Sequence, residues 1–377
     1  MLDIRCRTLV HAFKLTSGIR HPASIFMRHF HTQEIKDESQ VGAARRAVHR
    51  FASRAGFREE QLSDLDIVVQ EIATNAARYT TSGGCLYWRE APGEAPGIEL
   101  FYADKGPGIY DLESALRDGV STGGSLGSGF GAMRRLLDEF DAFSTPKGTT
   151  RRLSSTRRTN YGTVILGRKW AEPPPAHDDA PERARADARR IGSWSRPRPG
   201  EELNGDAYFV SEHGSELLLA VIDGLGHGRG ANEASSAAVE TLEQWRGEPL
   251  EELVLGVHES LRPTRGAVMG AAILDRSRES YVYAGVGNVE LRVLGSTDPG
   301  RPVSSNGTLG ARLSNVRVWP HRLAEGTTLV LASDGISATW DINAYPGLAV
   351  KSPQMLAGVL LRDYARNSDD ATVLVYK

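Results

Sequence analysis

The sequence predicts an α+β chain of two domains with different folds. Three observations carry this. Strands come in sequence-adjacent runs and helices in separate blocks, the pattern of layered α+β architecture rather than of a parallel βαβ sheet. The segment 171–190 opens with Ala171-Glu172-Pro173-Pro174-Pro175 and continues in Asp, Glu, Arg and Ala. Its prolines enforce extension, and the rest is too polar to build a core. No internal repeat relates the two sides of this seam, and 377 residues suffice for two cores. The division is therefore a basic arm at 1–30, a first domain at 31–170, a linker at 171–190 and a second domain at 191–377. The seam predicts autonomous domains with limited mutual contact.

The elements follow in order. Residues 40–55 and 62–79 carry apolar side chains at helical spacing. Residues 83–90 and 98–104 read as strands, 130–140 as a helix opened by glycines, and 161–170 as a closing strand. Past the linker, strands are expected at 217–223, 266–275, 280–294, 327–334 and 371–376. Helices are expected at 231–245, 250–262 and 353–366.

Composition removes several function classes. The formal net charge is -2, so no global charge favours nucleic acid. The two cysteines, Cys6 and Cys85, give no disulfide framework and suit a reducing cytoplasm. No apolar stretch approaches the length of a membrane span. In residues 1–30 Asp3 is the only acid, yet no apolar core follows the charges, so the arm is not expected to be a signal peptide.

A nucleotide pocket is legible in the first half. Glu71 and Asn75 lie four apart on one helix and share a face. Asn75 can offer its amide oxygen to Mg²⁺, and Glu71 can orient or deprotonate an attacking hydroxyl. At a strand end, Asp104 can accept a hydrogen bond from an exocyclic amine, while Gly106 and Gly108 let backbone approach a flat base. The run from Ser121 to Gly131, with Thr122, Gly123, Gly124, Gly127, Gly129 and Gly131, precedes a helix. Its backbone N–H groups and the helix N-terminus favour phosphate.

A metal centre is legible in the second half. Two apolar runs end in acids, one at Asp223-Gly224 and one at Asp334-Gly335, and Asp206 and Asp369 bracket them. Buried strands ending in carboxylates are costly unless something cationic neutralises them. Hard oxygen donors without Cys or His suit Mg²⁺ or Mn²⁺. Asp223 can bridge two ions, with Asp206 on one and Asp334 and Asp369 on the other, and the Gly224 carbonyl can reach the same metal. Two cations about 3.5–4 Å apart would turn a shared water into a hydroxide nucleophile for phosphate chemistry. His227 and Asp370 are read as loop and turn neighbours, and Arg196 and Arg198 as candidate phosphate guides.

These strings carry two family resemblances. Residues 31–170 resemble the GHKL (Bergerat-fold) ATPase and kinase superfamily. Glu71 to Asn75 matches the N box, with Tyr79 one turn on; Asp104 to Gly108 matches the G1 box, and the glycine run matches the lid. Within it the likeness is to anti-sigma-factor kinases of the RsbT type, through Asp118-Gly119-Val120-Ser121-Thr122-Gly123-Gly124-Ser125-Leu126-Gly127 and the following 135–140. His49 lacks the following acid of a phosphoacceptor helix, which argues against a histidine kinase. The stretch 147–160, rich in Arg, Ser and Thr, departs from the tighter turn expected there. Residues 191–377 resemble the SpoIIE family of PPM-type phosphatases, of the RsbX type. The carrying strings run from Arg196 to Asp206 and from Asp223 to Gly228, then Thr264-Arg265-Gly266-Ala267, Gly285-Val286-Gly287-Asn288, Ser333-Asp334-Gly335 and Asp369-Asp370-Ala371-Thr372.

The resemblances imply a Bergerat α/β sandwich followed by a PPM αββα sandwich. They imply ATP with Mg²⁺ in the first half and two Mn²⁺ or Mg²⁺ on Asp206, Asp223, Gly224, Asp334 and Asp369 in the second. They also imply a stress-response partner switch acting on serine or threonine of STAS-domain antagonists, with a sigma factor or a downstream phosphatase as further partners. Two alternatives stay open: the first half as a non-catalytic ATP-dependent binding module, or as a nucleotide gate on the phosphatase.

Overall fold

The computed structural model describes residues 24–25, 30–91, 95–116, 129–148, 160–172, 190–295, 302–313 and 315–377. Its first strand, β1 (Ser24–Ile25), belongs to the second half, as shown below. Five strands form the first-half sheet: β2 (His31–Ile35), β3 (Gly84–Glu90), β4 (Gly97–Asp104), β5 (Glu139–Thr145) and β6 (Gly162–Trp170). They pair antiparallel in the order β2-β3-β4-β6-β5. The helices are α1 (Val41–Arg54), α2 (Glu59–Tyr79), α3 (Leu112–Ala115) and α4 (Gly129–Leu136).

Local chemistry explains these elements. A capping box of Asp37 and Gln40 opens the turn that leads into α1. Val41, Ala44, Val48 and Ala52 then make the buried stripe of α1, and Leu62, Leu65, Val69, Ile72 and Ala76 that of α2. Both stripes close on Leu86, Trp88, Leu100, Tyr102 and Ile165 from one face of the sheet.

In the second half, β7 (Ile191–Arg196), β8 (Asp206–His213) and β9 (Glu216–Gly224) precede α5 (Arg229–Leu242) and α6 (Leu250–Ser260). Then come β10 (Ala267–Asp275), β11 (Ser280–Val286), β12 (Glu290–Leu294), β13 (Ser304–Ser305), β14 (Gly307–Thr308), β15 (Arg312–Leu313), β16 (Trp319–Arg322) and β17 (Thr328–Ala332). The last elements are α7 (Pro353–Tyr364) and β18 (Ala371–Tyr376). One sheet runs β1-β8-β9-β10-β11-β13, with β16 also on β11, and the other runs β12-β17-β18-β7. Val210, Leu219, Val221 and Ala272 from the first interleave with Leu291, Leu331 and Leu374 from the second. Helices α5 and α6 cover one outer face and α7 the other, an αββα sandwich.

The structure departs from the sequence reading in three places. The expected strand 280–294 is two strands in two sheets, because Gly287, at φ +89°, turns the chain between them. The expected helix 130–140 stops at Leu136, and Glu139–Thr145 is an edge strand. The expectation of limited contact between halves also fails. Every residue of α7 is buried. Its outer side meets Phe101, Phe143, Val164 and Leu166 on the free face of the first-half sheet, and its inner side meets Trp194, Val330, Val373 and Val375. A helix buried all round needs two apolar partners, and here each half supplies one. Polar groups join in: Glu99, fully buried, takes Arg89 at 2.6 Å, Arg168 at 2.6 Å and Gln354 of α7 at 3.3 Å. In addition, β1 pairs Ser24 with Ser211 and Ile25 with Val210, so a strand from before the first half edges the second-half sheet.

Candidate nucleotide pocket and carboxylate centre

Helix α2 positions Glu71 and Asn75 beside the start of α4. A Cβ on Gly129 would lie 3.0 Å from the Glu71 Oε2 and 3.7 Å from the Asn75 Nδ2. Gly129 is the first residue of α4, so an anion-favouring helix end meets both side chains. Asp104 closes β4 at the C-terminal end of α2, where a Cβ on Gly106 would meet Thr80 at 2.8 Å. Its Oδ1 accepts from the Gly106 N–H at 2.7 Å and the Thr163 N–H at 3.2 Å. Burial raises the Asp104 carboxyl above its usual range, although these two N–H groups pull it down. Gly108 is held at φ +73°, and a Cβ there would lie 2.3 Å from the Thr145 carbonyl oxygen, so no other residue fits. Gly131 is buried in α4. Thr122, Gly123, Gly124 and Gly127 lie outside the described residues, as do residues 149–159 of the Arg-rich stretch between β5 and β6.

The sequence reading missed Gly162 and Thr163. Gly162 packs on the Asp104 carbonyl, where a Cβ would come within 2.0 Å, and Thr163 supplies a donor to the Asp104 carboxylate. A Gly-Thr pair opening the apolar run 162–170 was the available signal. His49 is bound to Asp66 of α2 at 3.2 Å.

The carboxylate centre sits at adjoining ends of the second half's two sheets. Asp206 opens β8 and Asp223 lies at the end of β9, directly opposite each other in the ladder. Asp334 follows β17 and Asp369 precedes β18 on the facing sheet. Asp223, Asp334 and Asp369 line one cavity of about 520 Å³ together with His227 and Asn288. Burial, then the neighbouring Asp334, Asp369 and Asp370, push the Asp223 carboxyl up to about 7. Burial and Asp223 hold Asp206 well above the carboxylate range, although the Ser333 hydroxyl donates to it at 2.6 Å. Burial and Asp369 raise Asp334, which accepts from the Asn288 Nδ2 at 2.7 Å. Gly224 is required by packing, since a Cβ would lie 2.1 Å from the Ala231 carbonyl of α5.

Two residues are held differently from the sequence reading, while His227 stays a polar loop residue. Asp370, read as a turn neighbour, is 2% exposed, its Oδ1 accepts from the Arg198 N–H at 2.8 Å, and its Oδ2 is buried. Arg196 does not face the cavity as a phosphate guide; it donates to the carbonyls of Arg366 at 2.7 Å and Asp369 at 3.5 Å. His227 is oriented by Glu201 at 2.9 Å. Among the described residues, no three His, Cys, Asp or Glu side chains are gathered in coordinating geometry. The fit to cations rests on donor chemistry instead. The set is all oxygen, and its charges oppose one another in a buried setting.

Residues 36–155 match the family of histidine kinase-like ATPase domains. The serine/threonine-protein kinase RsbT of Bacillus subtilis (strain 168) is 32% identical over 136 residues, 36% of this chain and 92% of that protein. The phosphoserine phosphatase RsbX of the same organism is 26% identical over 141 residues, 37% of this chain and 71% of that protein. A chain solved in work on the bacterial stressosome, as a modular system adapted to control secondary messenger signaling, is 30% identical with a TM-score of 0.47 and covers 50% of this chain and 98% of that one. Among the described residues, no helix is long and apolar enough to cross a membrane. The chain thus belongs, through its first half, to the family of the kinase RsbT with a histidine kinase-like ATPase domain, and its second half is similar to the phosphoserine phosphatase RsbX.

Proposed function

We propose that this chain is a bifunctional partner-switch regulator of the cytoplasm. Its second half removes phosphate from phosphoserine or phosphothreonine on a STAS-type regulator, and its first half binds Mg-ATP and phosphorylates a STAS protein. Residues 31–170 and 191–377 are the two catalytic units. The observation that carries the reading is the set of strand-end acids, Asp206, Asp223, Asp334 and Asp369, brought to adjoining ends of two packed sheets. The similarity to a phosphoserine phosphatase and to a serine/threonine kinase supports the two substrate chemistries.

Two Mn²⁺ or Mg²⁺ ions on Asp206, Asp223, the Gly224 carbonyl, Asp334 and Asp369 would supply a hydroxide at neutral pH and neutralise the phosphoryl charge. The chain's own groups prepare this site. Ser333 orients Asp206, and Asn288 orients Asp334. Arg196 holds the backbone that carries Asp369. In the first half, Asp104 would accept from the base, Asn75 would hold Mg²⁺, and Glu71 would take the proton of the attacking hydroxyl.

A gating role for nucleotide is a second reading, favoured by the core that α7 shares between the halves. One experiment separates the two. The full chain is incubated with candidate STAS proteins, first with Mg-ATP and then with Mn²⁺ alone, and phosphoserine and phosphothreonine are followed by mass. Phosphotransfer that Glu71→Ala abolishes supports the kinase. Nucleotide-dependent dephosphorylation without phosphotransfer supports the gate. Calorimetry showing unchanged Mg-ATP affinity in both Asp104→Ala and Asn75→Ala would remove the pocket.

A further inference from the structure

The nucleotide pocket and the carboxylate centre touch the same five residues of chain. Arg362, in the last turn of α7, is 7% exposed. Its Nε and Nη2 bind the Asp363 carboxylate at 2.9 and 2.6 Å, Nη2 reaches Thr145 Oγ1 at 3.5 Å, and Nη1 is buried without a partner. Thr145 ends β5, and its carbonyl is the atom on which Gly108 rests. The Arg362 charge also acts on Asp104. One end of the stretch is thereby tied to the loop that would hold the base.

The other end is tied to both metal-centre loops. Four residues on, the Arg366 N–H donates to the Gly335 carbonyl at 2.7 Å, and the Arg366 charge acts on Asp334. The Ser337 N–H donates to the Tyr364 carbonyl at 2.9 Å. Arg196 joins the carbonyls of Arg366 and Asp369. Between the halves lies a cavity of about 280 Å³ bordered by Asp104, Lys105, Arg196, Arg362 and Asn367. Asp104 and Arg362 border it together, so a change at one has a path to the other.

We propose that Arg362 is a positioning residue through which a nucleotide on Asp104 sets the geometry of the Asp334 and Asp369 loops, so that nucleotide and divalent metal bind with linked affinities. This rests on the reading that both sites bind their ligands. A base that engages Asp104 alters what Arg362 faces. The buried helix passes the change to residues 364–366, because neither flanking sheet leaves α7 room to absorb it. Linkage makes the effect reciprocal: metal must shift nucleotide affinity by the same factor.

The test uses the full chain. Free Mn²⁺ is read by electron paramagnetic resonance with and without saturating ADP, and Asp223→Ala with ADP supplies the baseline for chelation by the nucleotide. We expect ADP to shift Mn²⁺ affinity by about fivefold or more. Arg362→Met should erase that shift, and Arg362→Lys should restore part of it. Mn²⁺ affinity unchanged within twofold when both ligands bind overturns the proposal. So does a full shift in Arg362→Met. Failure of Mn²⁺ or ADP to bind at all overturns the underlying reading instead, and the proposal with it. If Arg362→Met does not fold, the wild-type pair of titrations still decides.

Discussion

The carboxylate centre and the nucleotide pocket are built from different materials. At the centre the candidate ligands are, Gly224 apart, acid side chains at or beside strand ends, and Asp206, Asp223 and Asp334 are raised by burial and then by neighbouring carboxylates. At the pocket most of the work falls to backbone: Gly108 on the Thr145 carbonyl, Gly162 on the Asp104 carbonyl, and N–H groups from Gly106 and Thr163 on one carboxylate. The difference teaches why the two sites differ in legibility. Gathering buried acids costs free energy, so it marks a cation site even when read from one sequence. A glycine loop costs little, so it signals only in combination with its neighbours. The comparison can be broken or sharpened in four ways.

The largest effect is expected at Asp223. Asp223→Ala should lower Mn²⁺-dependent hydrolysis of a small phosphoester by at least about 10³-fold while leaving ATP binding intact. Near wild-type turnover in this variant would dissolve the centre as drawn.

Next comes severing the chain within 171–190. The linker composition alone suggests that residues 191–377 would be soluble by themselves. The buried outer side of α7 and the docking of β1 predict the reverse: an isolated second half should aggregate or melt well below the full chain. Equal melting temperatures for the piece and for the full chain would restore the picture of independent modules.

A smaller effect is expected at Gly358. A Cβ there would lie 2.4 Å from the Phe101 ring, across the junction of the halves. Gly358→Val should cost about 1–3 kcal/mol by overpacking, read as a lower denaturant midpoint. An unchanged midpoint would mean that the junction yields freely.

The smallest effects are pH trends of opposite sign. At the junction, burial opposes ionisation of Glu99, but Arg89 and Arg168 outweigh it and hold the carboxyl below its ordinary value. Its stabilisation is therefore complete above the usual glutamate range and is lost as pH falls through the lowered folded value. Asp223 runs the other way. Its folded value of about 7 lies above the unfolded one, so in metal-free protein its contribution is present at acid pH and declines as pH rises through about 7. Thermal melts in chelator should thus weaken at both ends, and Glu99→Gln should remove only the acid-side change. A melting temperature flat from pH 5 to pH 8 in chelator would contradict the Asp223 assignment.

Much of the fold was legible because apolar periodicity is local. The stripes of α1 and α2 and the runs of β9, β10, β17 and β18 follow from residues a few positions apart. Local patterns misled where geometry turned on single residues: Gly287 splits one apolar run between two sheets, and β5 follows α4 too closely to break its pattern. At the sites, the sequence offered the strand-end acids and Glu71, Asn75 and Asp104 as candidates, and the structure sets the acids at adjoining sheet ends and Glu71 and Asn75 beside α4. It did not reveal Asp370 as a buried acid, Arg196 as a brace for carbonyls or Thr163 as a donor. Those roles depend on which atoms come within 3.5 Å across long loops.

The sequence by itself determined two unlike α+β halves, the acids that are candidates for holding cations, and a helix opening at 353. Only the tertiary structure decided that this helix is covered on both sides. Periodicity reports how much of a helix is apolar, not which surface covers it. Phe101, Val164 and Leu166 lie on strands that also bury their opposite face, so they show no alternation to announce a second partner. The same long-range packing set Arg362 between Thr145 and Asp363 and so brought two chemistries within reach of one helix end.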